Sequence, residues 1–158
     1  LLLLTGTRTT ELRAARWDEF DLEEGLWTVP QERMKKRRLH LVPLSSQAIE
    51  ELKRIQPISG HGELVFPNRN KPLVPMSDAS VNKVIALLGF KGRLTGHGFR
   101  HTMSTILHDN NFDTAWIELQ LANVDKNAIR GTYNHAQYLT QRRDMLQWYA
   151  DFLEKLQS

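Results

Sequence analysis

Proline and glycine cut this 158-residue chain into short pieces, and that punctuation constrains its fold more than any other feature. Leu26-Trp27-Thr28-Val29 reads as a strand ended by Pro30. A second strand is predicted over 39–44 and a third over Leu64-Val65-Phe66, which Pro67 stops. Elsewhere the apolar spacing is helical. One helix is predicted over about 9–17, with Leu12 and Ala15 inward. Ser45 or Ser46 caps another carrying Ala48, Ile49, Leu52 and Ile55, which Pro57 stops. Ser77 caps a third with Val81, Val84, Ile85 and Leu88 inward, ended by Gly89. Later helices are predicted over 99–107, from a cap at Asp113 through Ile117 and Leu121, from Asp125 toward Tyr133, and over 140–156. Six or seven helices against three short strands give an α+β class, predominantly helical with a small three-stranded antiparallel sheet.

The length suits one domain with a real core, and no apolar run approaches the roughly 18 residues of a membrane span. Leu1 to Leu4 lacks the basic lead-in and cleavage site of a secretion signal. The chain opens on Leu inside an apolar pattern, so it reads as a fragment of a longer protein. Without cysteine there is no disulfide, thiolate metal site or cysteine nucleophile, which is compatible with a reducing cytoplasm. The charge is unevenly spread. Residues 33–108 hold 13 basic and 4 acidic side chains, a net of +9, between flanks of −4 and −2. A basic middle between acidic ends suits one face turned to a polyanion. Its densest part is Arg33-Met34-Lys35-Lys36-Arg37-Arg38, at the tip of the predicted hairpin.

Gly96-His97-Gly98-Phe99-Arg100 enters a helix with His97 and Arg100 three apart, so imidazole and guanidinium can face one point. A planar guanidinium there suits an anionic oxygen, phosphate above all. Near the start, Gly6 is free to take positive φ in the turn Thr5-Gly6-Thr7-Arg8, and Glu11 follows Arg8 by one turn. Alone, Arg8 and Glu11 are a routine helix-start ion pair. About ten positions beyond Asn123 stands Tyr133, a phenol that could reach the same point.

In this order and spacing the motifs resemble the catalytic domain of tyrosine recombinases, most closely the prophage integrases that insert beside tRNA genes. The resemblance covers nearly the whole chain. It rests on Thr5-Gly6-Thr7-Arg8 with Glu11, Met34-Lys35 before His40-Leu41-Val42-Pro43-Leu44-Ser45, His97-Gly98-Phe99-Arg100, Tyr133-Asn134 and the run Arg142-Arg143-Asp144-Met145-Leu146-Gln147-Trp148. It implies the recombinase (DNA breaking-rejoining) fold, with residues 1–158 as a C-terminal catalytic domain whose N-terminal DNA-binding parts are absent.

By that resemblance, Tyr133 attacks a DNA phosphodiester, while Arg8 and Arg100 hold the non-bridging oxygens. Lys35 is the general acid on the leaving 5′-oxygen, with adjacent Lys36 as its rival. His97 bonds a phosphate oxygen or helps take the phenol proton, and Glu11 orients the cations. No cofactor or metal is implied. The partners implied are double-stranded DNA attachment sites, further copies of the chain in a tetrameric synapse on DNA, and accessory DNA-bending or directionality proteins. The implied location is the bacterial cytoplasm, at the nucleoid. Integrases usually carry His, sometimes Trp, at the position of Asn123. An amide can donate to phosphate but carries no charge or transferable proton, so weakened chemistry is expected. A type IB topoisomerase-like activity and a DNA-binding module without catalysis are the alternatives. Tyr138 and Tyr149 are read as core or interface residues, and His40, His61, His101, His108 and His135 as structural or surface residues.

Overall fold

The computed structural model describes residues 1–123 and 138–158. Seven α-helices lie among them: α1 Leu2–Thr5, α2 Thr9–Arg13, α3 Ser46–Ser59, α4 Ser80–Ile85, α5 Gly98–Asp109, α6 Thr114–Gln120 and α7 Leu139–Gln157. A three-stranded antiparallel sheet runs in the order β1 Phe20–Asp21, β2 Leu26–Val29, β3 His40–Pro43. The class is therefore α+β and mostly helical. Trp27 pairs with Phe20 on one side and Val42 on the other, and Val29 pairs with His40, so the hairpin loop is residues 30–39.

Two apolar clusters build the interior. One gathers Leu12, Trp27, Val29, Met34, Val42, Ala48 and Leu52 around the sheet and α3. The other gathers Met103, Leu107, Ile117, Leu121, Met145, Leu146 and Tyr149 from α5, α6 and α7. Short α1 packs against α3, α5 and α7, and so joins the two. Most stripe residues predicted to face inward do so. Leu156, at the far end of α7, is 67% exposed.

Several boundaries differ from the predicted ones. The third strand of the sheet is Phe20–Asp21, not Leu64-Val65-Phe66. The latter stretch makes only an isolated bridge from Leu64 to Arg16, and Val65 donates its amide to Ala15 O at 3.0 Å. That same pairing explains why α2 ends at Arg13 and not near Trp17. The Trp17 amide goes to Glu63 O at 2.9 Å, so these backbone groups are used sideways and not along a helix axis. α3 runs past Pro57 to Ser59. Its last turn is held from outside, because Trp17 Nε1 donates to Ser59 O at 3.1 Å and Ser59 Oγ donates to Val65 O at 2.8 Å. α4 begins at Ser80, since Ser77 Oγ pairs with Ser80 Oγ at 2.8 Å without capping the amides. Of its apolar residues Ile85 is buried and Val81 half-buried, but Val84 and Leu88 are 53% and 68% exposed beside an open apolar cleft. The predicted helix from Asp125 toward Tyr133 lies outside the described residues.

Candidate active site

Gly6 is the joint on which the site is built. It sits at φ 65°, and a β-carbon there would lie 2.5 Å from Met103 Sδ of α5. Only glycine takes this left-handed turn and this close approach together. The turn lets the Gly6 carbonyl reach Arg100 on α5, whose Nη1 donates to it at 2.5 Å. Gly96 allows a second close approach, since a β-carbon there would stand 2.7 Å from Thr9 Oγ1. The start of α5 is thereby pressed onto the start of α2.

Arg8 enters α2 in extended conformation and is held by Glu11 from one turn on. One carboxylate oxygen accepts the Arg8 amide at 2.9 Å and the other accepts Arg8 Nη1 at 3.0 Å. Glu11 is 2% exposed, whereas the Arg8 side chain keeps 26% of its surface open. The carboxylate is thus buried under a guanidinium that still faces solvent. Arg100 is 6% exposed. Its Nη2 donates to Leu121 O at 2.8 Å and lies 3.4 Å from Asn123 Oδ1. Among the described residues its contacts engage at most three of the five guanidinium donors. Burial lowers the Arg100 pKa from its ordinary value, and the like charge of Arg8 lowers it further, while Glu11 works in the opposite direction. Two cations that repel each other in a partly dry site are a prepared seat for an anion.

α6 delivers the next group. Asp113 caps it, its Oδ1 accepting the Ala115 amide at 2.8 Å. Ala122 then takes φ 52°, an expensive left-handed conformation for a residue with a β-carbon, and this bend brings Asn123 beside Arg100. Strain of this kind tends to be kept at working sites.

The profile of the phage integrase family matches residues 1–140. This chain belongs to the phage integrase family. It is 47% identical over 159 residues to prophage integrase IntZ of Escherichia coli K12 and 45% identical over 156 residues to prophage integrase IntA of the same strain. Each alignment takes in 99% of this chain but only 39% and 38% of the relatives, so the chain spans well under half of their length. Among solved structures, the Tn1549 transposon integrase in complex with circular intermediate DNA superposes with a TM-score of 0.66. That likeness covers 89% of this chain and 57% of the other at 16% identity, and it establishes a common fold.

In this member of the family the site residues named from sequence fall into four groups. Arg8, Glu11, Arg100 and Asn123 come together around the Gly6 turn. His97 stands one turn before Arg100 at the start of α5, exposed, with its ring edge-on to His101 at 5.4 Å between centroids. Lys35 and Lys36 are both exposed on the hairpin loop. Lys36 lines a shallow depression with Arg8, Arg38, His40 and Ala122, and Lys35 is not among its lining residues. Tyr133 lies outside the described residues. Of the other tyrosines, Tyr149 is fully buried in α7, and burial raises its pKa, which suits a packing role. Tyr138 is exposed at the start of α7, 6.4 Å from the Trp116 ring.

A buried polar network behind the site escaped the sequence reading. Gln120 Nε2 donates to Thr5 O at 2.8 Å, Arg142 Nη2 donates to Gln120 Oε1 at 2.9 Å and to Leu41 O at 2.5 Å, and His40 Nε2 lies 3.1 Å from Gln120 O. Since a carbonyl only accepts, the imidazole carries its proton on Nε2 here. Burial first and the Arg142 charge second push the His40 pKa down to about 3. The network ties α1, β3, α6 and α7 together directly under Arg8 and Arg100. One signal was legible: Arg142 precedes Met145 by three and Tyr149 by seven, on the buried stripe of α7.

Proposed function

We propose that this chain is the catalytic portion of a site-specific DNA recombinase that integrates and excises a prophage or genomic island through a 3′-phosphotyrosine intermediate. The observation that carries the reading is the joining of Arg8 and Arg100 through the Gly6 turn, with buried Glu11 beneath. Family membership and the DNA named with the Tn1549 structure support the substrate class.

In this reading the Tyr133 oxygen forms a bond to phosphorus as the bond to the 5′-oxygen breaks. Arg8 and Arg100 donate to the non-bridging oxygens, where negative charge grows in the five-coordinate transition state. A free phenol, with pKa about 10, is mostly protonated at neutral pH and must lose its proton; His97 faces that task. The proton needed by the 5′-oxygen comes from a lysine of the hairpin loop. Lys35 is assigned by motif, and the lining of the depression beside Arg8 favours Lys36 as the second reading. Because the bond energy is kept in the phosphotyrosine, attack by another strand's 5′-hydroxyl rejoins DNA without ATP. Asn123 lowers the rate without changing the reaction. Strand exchange between attachment sites calls for further copies of the chain on DNA, a tetrameric synapse, with accessory DNA-bending or directionality proteins.

The deciding experiment is covalent trapping on nicked duplex DNA. An adduct that disappears in Tyr133→Phe is expected. Adduct retained in that variant points to another nucleophile, Tyr138 first, and binding with no adduct in any variant leaves a DNA-binding module only.

A further inference from the structure

Arg33 is read from sequence as one more charge of the basic run, yet it is held unlike its neighbours. Its Nε donates to Glu19 Oε2 at 3.1 Å and its Nη2 to both Glu19 oxygens, one of them at 2.6 Å. Its Nη1 donates to Glu11 O at 2.8 Å. Side-chain exposure is 18% for Arg33 and 6% for Glu19. Glu19 is itself fixed, since its Oε1 accepts the Arg16 amide at 2.9 Å. The next residue, Met34, is buried in the core around the sheet, and from Lys35 to Arg37 the loop is exposed. The anchored pair Arg33 and Met34 is therefore the last fixed point before the lysines.

Glu11 consequently serves two parts of the site. Its carboxylate holds Arg8, and its carbonyl holds Arg33. The geometry points to Arg33, gripped by Glu19, as the positioning residue that sets the reach of the loop lysine to the leaving oxygen. The inference rests on the lysine being the general acid. An Arg is suited to this work and a Lys is not, because only the planar fork engages a carboxylate with two parallel donors while a third donor takes the Glu11 carbonyl.

The test separates positioning from folding by changing the leaving group. A 5′-bridging sulfur leaves as a thiolate, and a thiol (about 8.5 for the cysteine side chain) is far more acidic than an alcohol, so the departing sulfur needs no proton from lysine. Single-turnover cleavage of nicked DNA by the whole protein is measured with 5′-oxygen and 5′-sulfur substrates. Arg33→Gln is expected to slow the oxygen substrate about ten- to a hundredfold, the scale of a misplaced general acid, and the sulfur substrate less than about threefold. Glu19→Gln, which keeps its shape, is expected to show the same pattern more weakly, and it answers the question if Arg33→Gln fails to fold. Equal loss on both substrates, or loss on neither, overturns the proposal. Lys35→Ala and Lys36→Ala are run in parallel. If sulfur rescues neither, the general-acid reading itself fails; if it rescues one of them but not Arg33→Gln, only the positioning role falls.

Discussion

Arg8 and Lys36 line the same depression, but the two cations are held in opposite ways. Arg8 has its guanidinium on a buried carboxylate and its amide on the same group, and its neighbour Arg100 is tied to two backbone carbonyls. Lys36 stands on a loop whose fixed points are Arg33 and Met34 at one end and buried His40 at the other. The fold itself organises the guanidinium pair and meets its burial and mutual repulsion. In the proposed reading, exposed Lys35 and Lys36 stay hydrated until a backbone phosphate orders them, and that ordering costs binding free energy. A charge that must stabilise a transition state gains from being fixed in advance. A proton donor has to reach one bond, and an exposed loop anchored at its base can carry it there.

The strongest way to break this contrast is Arg100→Lys. The charge survives but the fork does not, so Gly6 O and Leu121 O cannot both be served. Cleavage is expected to fall about 10²–10³-fold, as for loss of an oriented transition-state donor. Thermal unfolding should drop as well, by several °C, because a buried acceptor is left unmade at a cost of about 1–3 kcal/mol. A variant that loses rate with no change in Tm would put Arg100 in the same class as the loop. Next in size are Lys35→Ala and Lys36→Ala. One of them should lose about 10²-fold in cleavage and the other little, both with unchanged Tm, since neither side chain is buried. Equal mild losses would mean that the loop supplies only attraction to DNA.

What the sequence revealed follows the same division. The α2 start, the Gly6 turn, the α5 start and the α6 cap were readable, because each depends on a residue whose conformation or capping chemistry is local. Arg8, Glu11 and Arg100 could be named from spacing and family pattern. The end of α2 and the identity of the third strand were not readable: both depend on where the Ala15 carbonyl and the Trp17 amide find partners about fifty residues away. The same holds for Gln120, which resembles any polar helix residue until Thr5 O and Arg142 are seen against it. The pairing of Arg33 with Glu19 was hidden inside a run of like charges, where composition suggests only a solvated tip.

Asn123 sits at the edge of the fixed pocket and sharpens the contrast on a smaller scale. Its amide oxygen lies 3.4 Å from Arg100 Nη2, so this side chain accepts from the clamp and adds no charge to it. Asn123→His is expected to speed cleavage of nicked DNA several-fold, up to about tenfold, well below the roughly 10²–10⁴-fold of a full general acid, because the two guanidiniums are already in place. An unchanged or slower rate would show that the pocket is already complete without an imidazole at this position.

The smallest expected effect concerns the seam between the two regions, where His40 ends the basic loop against Gln120 O. Its folded pKa is about 3, against about 6.5 for a free imidazole, so between these values the unfolded chain binds one proton more than the folded one. The contribution is fully present above about pH 6.5 and is lost as pH falls toward the folded value, with a slope of up to about 1.4 kcal/mol per pH unit. At neutral pH nothing should be seen. Urea unfolding at pH 7, 6 and 5 should show this extra acid sensitivity in the parent and not in His40→Gln, whose amide can still donate to Gln120 O. A parent and variant with parallel pH profiles would mean that imidazolium is accommodated at the seam, for instance by movement of the loop away from α6, and the loop would then be free at both ends and not held at its β3 end.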